Sequence, residues 1–124
     1  MTNTLAVRIA ALMGLLAVGL GAFGAHGLQK LLEQNGRVET WHTAVFYHLV
    51  HAVMLFVLAG QTPLRRGPWW SFLVGILIFS GTLYVLALTN LRWLGAITPL
   101  GGVSLMVGWL WLVISPQPRI ANRS

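Results

Sequence analysis

Residues 44–60 read AVFYHLVHAVMLFVLAG, seventeen residues with no Lys, Arg, Asp or Glu, interrupted only by His48 and His51. A run this apolar has the composition of a membrane span, which needs about 20 residues at 1.5 Å each to cross ~30 Å of hydrocarbon. Ionisable side chains inside a span are costly. They normally face other protein, so the two imidazoles mark the interior face of this segment and the first place to look for a site.

Three more spans emerge on either side of it. The first covers Leu5 to Phe23, the second extends the opening run to Trp41–Gly60, the third covers Trp69 to Leu88 and the fourth Gly95 to Ile114. The link Thr62-Pro63-Leu64-Arg65-Arg66-Gly67-Pro68 is rich in helix breakers, and Asn90-Leu91-Arg92 makes a second short connection. Trp41, Trp69, Trp70 and Trp93 stand near span starts, with Trp109 and Trp111 near the last exit. An indole prefers the headgroup zone, so these six are expected to form an aromatic belt.

The bulk numbers agree. With 56% hydrophobic residues, 8% charged residues and a mean hydropathy of +0.75, the chain does not read as a soluble globule. Its net charge of +6 comes from basic residues scattered at segment ends, which argues against a nucleic-acid footprint and for a role in orientation. Arg8, Arg65, Arg66, Arg119 and Arg123 fall on the side of the termini, against Lys30, Arg37 and Arg92 on the other. Five against three predicts cytoplasmic termini. The apolar run after Arg8 is longer than a usual signal-peptide core, so it is read as a retained span. With no cysteine there is no disulfide, thiol nucleophile or Cys-ligated metal centre. The whole chain, 1–124, is expected to be a single all-α membrane domain, a four-helix bundle.

Between spans one and two, Leu28, Leu31 and Leu32 repeat at helical spacing opposite Gln29, Lys30, Glu33 and Gln34, and Asn35-Gly36 supplies a stop. A short helix along the membrane surface is expected there, as a cap on the bundle. In the first span Val7, Ala10, Gly14, Ala17, Gly21, Gly24 and Leu28 form a narrow seam of mostly small residues. Thr98, Gly101, Ser104 and Gly108 make a similar face on the fourth. Hydrophobicity cannot drive helices together in lipid, so such seams predict close backbone contact, first of all within the bundle.

On the second span Trp41, Ala44, His48, His51 and Leu55 share one helical face, and Thr43, Tyr47 and His51 form an adjacent stripe. His26 ends the first span and His42 comes directly after Trp41, while Ser80, Tyr84 and Thr89 lie on the third span and Thr98 opens the fourth. Antiparallel threading puts these groups in the half of the bundle away from the termini, leaving the other half almost without polar side chains. Buried neutral imidazoles and hydroxyls can bond to one another as helix-locking groups with no ligand at all. Against that stand a pocket for a quinone or lipid headgroup, and a haem or metal site. His48 and His51, three residues apart on one helix, cannot be opposite axial ligands of one iron. A haem would need His26 or a second subunit. A relay for protons is disfavoured by the lack of acidic residues or Lys in mid-span. Gly21, Gly24 and Gly27 are preceded by no strand and are not a phosphate loop, and no Ser–His–acid set can assemble when both acids lie in the surface connection.

Gly21-Ala22-Phe23-Gly24-Ala25-His26-Gly27-Leu28 resembles a signature of the membrane-protein family known as domain of unknown function 423. Thr43-Ala44 with Tyr47 and His51-Ala52, Phe79-Ser80-Gly81-Thr82-Leu83-Tyr84, and Ile97-Thr98-Pro99-Leu100-Gly101-Gly102 resemble it too, in the same order. The family includes bacterial inner-membrane proteins and animal transmembrane protein 256. The resemblance implies a four-helix membrane protein without a settled activity and gives weight to His26, Tyr47, His51, Ser80, Tyr84, Thr98 and Pro99. It also implies departures at His48, where many relatives carry Gln, and at Thr82, where Ser is usual, which favours His26 and His51 over His48 as ligands. The expectation is a non-enzymatic accessory component of the bacterial inner membrane, in contact with lipids and either self-associated or part of a larger membrane complex. It carries a polar pocket around His26, Tyr47, His48, His51, Ser80, Tyr84 and Thr98. No catalytic residue, metal or nucleic-acid partner is expected, and a quinone or haem is left open.

Overall fold

The computed structural model describes residues 1–116, so Arg119 and Arg123 lie outside the described residues. It is helical throughout, without strands among those residues. Helix α1 runs Asn3–Ala25, α2 Gln29–Asn35, α3 Val38–Ala59, α4 Arg66–Gly75, α5 Gly81–Thr89 and α6 Leu94–Ile114. A π-helical segment, Ile76–Ser80, joins α4 to α5, so Arg66–Thr89 is one continuous third span. The four long helices are all apolar and long enough to cross a bilayer.

Local chemistry sets the ends. The Thr2 hydroxyl accepts from the Leu5 amide at 3.1 Å and caps α1. Gly36 closes α2 in the left-handed region at φ 66°, as expected of the Asn-Gly pair. Asn90 ends α5 in the same conformation and accepts from Arg37 Nε at 2.9 Å. The Asn35 amide donates to the carbonyls of Ala87 and Leu88, at 2.9 and 3.2 Å, which ties the surface helix to the third span. Its Leu32 is fully buried in a cluster with Trp41 and Ala87, so α2 caps the far end of the fold. At the end holding the N-terminus, Asn3 donates to Ala59 O and Gln61 O, and Arg65 to Ser115 O.

The spans pack in chain order, α1 on α3, α3 on the third span and the third span on α6, with α1 and α6 apart. The two outer interfaces differ. Along α1–α3, a side chain at Gly24 would strike the Trp41 indole at 2.2 Å, and one at Gly21 would press Val45 at 3.3 Å. Ala10, Ala17 and Gly24 of the predicted seam are buried, whereas Gly14 has open space beside it. Between the third span and α6, glycines and large residues alternate across an antiparallel register: Gly67 meets Trp111, Phe72 meets Gly108, Gly75 meets Leu105 and Phe79 meets Gly101. At Gly101 the contact is backbone to backbone, with a Cβ there falling 2.3 Å from Phe79 N. Small residues allow this approach, and close packing then supplies the attraction that lipid cannot.

Apolar length and helical spacing gave no sign of the π segment. Here the Gly81 amide reaches back five residues to the Ile76 carbonyl, and Thr82 Oγ1 donates to the Ile78 carbonyl at 2.6 Å. Such a bulge adds one residue to a turn and rotates the face that α5 presents relative to α4.

Of the six tryptophans expected in a belt, Trp70, Trp93, Trp109 and Trp111 are exposed. Trp41 and Trp69 are fully buried, and the half-exposed Trp109 turns its indole N–H inward.

Candidate functional site

All five residues of the predicted α3 face, Trp41, Ala44, His48, His51 and Leu55, are buried. Helical spacing therefore found the interior side correctly. It did not find how the polar groups are divided.

His51, one turn nearer the terminal end than His48, has both ring nitrogens engaged. Nδ1 lies 2.7 Å from the Tyr47 carbonyl, an acceptor only, so Nδ1 carries the proton and donates. Nε2 is then the acceptor and takes the Trp109 indole N–H at 2.9 Å. The ring also packs edge-on to Trp109 and against Phe72, with centroids 5.9 and 5.4 Å away. This is a neutral, single-tautomer imidazole linking α3 to α6. Tyr47 is 40% exposed and stacks flat beside His51, contributing its backbone rather than its hydroxyl.

His48 has a different environment. Its Nδ1 lies 2.8 Å from the Tyr84 hydroxyl, while Nε2 is buried without a partner. It faces the Met13 backbone on α1 without reaching hydrogen-bond geometry. Because α1 and the third span do not approach one another, a crevice of about 170 Å³ remains between them over α3. Met13, Leu16 and Leu20 form one wall, Ile76, Leu77, Ser80, Gly81 and Tyr84 the other, with His48 between. Ser80 is itself committed, donating to the Ala44 carbonyl at 2.8 Å. Tyr84 packs on Trp41 at 4.8 Å between centroids, and the Trp41 indole donates to Leu20 O at 2.9 Å.

Thr98 belongs to neither group. Its hydroxyl pairs with that of Thr82 at 2.7 Å and also lies 3.1 Å from Leu94 O, locking α6 to α5. His26 is exposed at the end of α1, beside Gly19, Ala22, Phe23 and Gly27, away from the polar interior. His42 is exposed as well.

The expectation of a single pocket in the half away from the termini is thus corrected. Polar contacts run through both halves, including Ser104 Oγ to Ser71 O at 2.8 Å and the Trp109–His51 pair. Trp109 was missed because a tryptophan near a span end reads as belt. Its position four residues after the buried Leu105 was the signal that it lies at the edge of the packing face.

The set does not fit a haem. His51 would have to release Trp109, His26 stands elsewhere, and the His48 crevice is far smaller than a macrocycle. No group of three His, Asp or Glu side chains suited to a metal occurs among the described residues.

No solved structure matches the chain. Sequence relatives are plain. The UPF0382 membrane protein YwdK of Bacillus subtilis (strain 168) is 44% identical over 115 residues, covering 88% of this chain and 93% of its own. A UPF0382 membrane protein of Staphylococcus saprophyticus is 45% identical over 113 residues, covering 87% and 92%. One from the yeast Schizosaccharomyces pombe is 35% identical over 114 residues, covering 86% and 97%. The family model described as "Protein of unknown function (DUF423)" matches residues 20–102, so this integral membrane protein belongs to the DUF423 family.

Proposed function

We propose that the protein is a non-enzymatic accessory component of the bacterial inner membrane, a helical scaffold that associates with further copies or with a larger membrane assembly. The observation that carries this reading is the double commitment of His51, whose two nitrogens are taken by Tyr47 O and Trp109. Ser80, Thr82, Thr98 and Trp41 are likewise bonded within the fold. A catalytic centre needs a reactive group held in reserve beside a partner that activates it. These groups fix the helix register instead. Both termini are assigned to the cytoplasm by the basic-residue count, which turns on Arg119 and Arg123.

Photo-reactive side chains at Leu15 on α1 and Val113 on α6, both strongly exposed, test the reading in intact membranes. The expected result is a protein adduct of one reproducible mass at one face or both, competed away by excess untagged protein. Lipid adducts alone at both positions would overturn the accessory role.

A further inference from the structure

We infer that the arginine pair opening the third span and the exposed stripe at the end of α6 together bind one anionic phospholipid. Its phosphate lies on Arg65 and Arg66 and an acyl chain along Val107, Leu110, Trp111 and Ile114. This goes beyond the accessory role and does not depend on it. Neither acid of the chain is within reach of the pair. Glu33 and Glu39 belong to the opposite end, and Glu39 opens α3 (Val38–Ala59), about 30 Å of helix away from the link that carries the arginines.

What the arginines do touch leaves most of their donors unused. Arg65 donates to the Ser115 carbonyl and Arg66 to the Met1 carbonyl at 3.3 Å, one bond each among the described residues. A guanidinium carries five N–H groups in a planar fork, the shape that takes two oxygens of a phosphate. The same contacts fix where the forks stand. Arg66 begins the third span and Ile114 ends the fourth, so both lie at the edge of the hydrocarbon, next to the level of lipid phosphates.

The tail has a place beside the head. Val107, Leu110, Trp111 and Ile114 follow the steps of three and four that make one helix stripe, and all four are exposed. With Ser115 they line, among the described residues, an apolar groove of about 300 Å³. Ser115 is the residue that holds Arg65, and the Trp111 ring packs on Gly67, next to Arg66, so groove and cations are continuous. Seven residues of helix give about 10 Å of groove running inward from the phosphate level. A second copy suits this face less well. Lying parallel in the bilayer, it would bring the same two arginines to the same level and its acids to the far side. An anionic lipid brings the missing charge and the apolar chain in one molecule.

The probe is spin-labelled phosphatidylglycerol, added in trace to the full chain in nanodiscs of palmitoyl-oleoyl phosphatidylcholine and compared with spin-labelled phosphatidylcholine. Electron paramagnetic resonance should show phosphatidylglycerol held at least about fivefold more strongly, and unlabelled phosphatidylglycerol should displace it with the saturation of one site per chain. Arg65→Gln combined with Arg66→Gln should bring the preference below about twofold. Arg66→Gln alone leaves the Arg65–Ser115 contact in place and should cut it about twofold. Arg92→Gln removes the same charge at the opposite end and should change nothing. Soluble glycerophosphoglycerol at matched ionic strength should not displace the label, and a photo-reactive side chain at Leu110 should yield a phosphatidylglycerol adduct. Equal retention of the two lipids, a preference that survives loss of both arginines, or an equal loss in Arg92→Gln would overturn the inference. Displacement by the soluble headgroup would assign the arginines to free phosphate esters and overturn the lipid. A protein adduct at Leu110 would assign the stripe to a second copy and overturn it too.

Discussion

The two sides of α3 use their imidazoles in opposite ways. On the side of α6, the third span and α6 touch backbone to backbone at Gly101, glycines alternate with large side chains between them, and His51 of α3 is bonded at both nitrogens. On the side of α1, the helix meets α3 through Trp41 and Val45 while the third span stands clear, leaving a crevice and an unpartnered nitrogen on His48. Interlocked backbones leave no volume, so polar groups there must bond to each other. Side-chain spacing leaves volume and fewer partners, so the His48 Nε2 beside it is buried without one. The same residue type, one turn apart on one helix, is bonded at both nitrogens in the first setting and at one in the second.

The largest effect should come from the tight side. Gly101→Ala places a methyl 2.3 Å from Phe79 N, and backbone cannot step aside as a side-chain tip can. A loss of about 3 kcal/mol or more is expected in unfolding free energy measured in bicelles. A loss below about 1 kcal/mol would mean that the third span and α6 are not in backbone contact. Next comes His51→Leu, which strands the Trp109 N–H and should cost about 2–3 kcal/mol, with Trp109→Phe near ~1 kcal/mol. If Trp109→Phe costs as much as His51→Leu, the bond between them is not what holds this corner.

On the loose side the numbers shrink. Gly21→Leu should cost about 1–2 kcal/mol by pushing Val45, which a Cβ at Gly21 already meets at 3.3 Å. His48→Leu removes a half-satisfied ring but strands the Tyr84 hydroxyl, and should cost about 1 kcal/mol. A loss equal to that of His51→Leu would erase the contrast between the two histidines.

Much of this architecture is legible in the residues alone. The four spans, the surface helix and its Asn35-Gly36 stop come from apolar length, helical spacing and turn chemistry, and the buried face of α3 from its period. Side-chain pairing is not legible, because period says which face is inward but not which neighbour it meets. Gly14 belongs to the seam by spacing yet has no atom near it, since where two helices diverge depends on their crossing. His26 reads as part of the polar cluster because it ends the first span at the right level. It is exposed, just past Ala25, the last helical residue of α1. At the π segment α6 presses at Gly101 on Phe79, a relation between distant positions that spacing within one span does not show.

The most direct measurement is the imidazole ¹⁵N spectrum of the full chain in bilayers, assigned through His48→Gln and His51→Leu and repeated in Tyr84→Phe. His51 should show one fixed tautomer with the proton on Nδ1, unmoved by Tyr84→Phe, while His48 Nδ1 shifts when the Tyr84 hydroxyl is removed. A His51 signal that moves in Tyr84→Phe while His48 stays still, or two rings that both ignore the substitution, would contradict the division of roles between them.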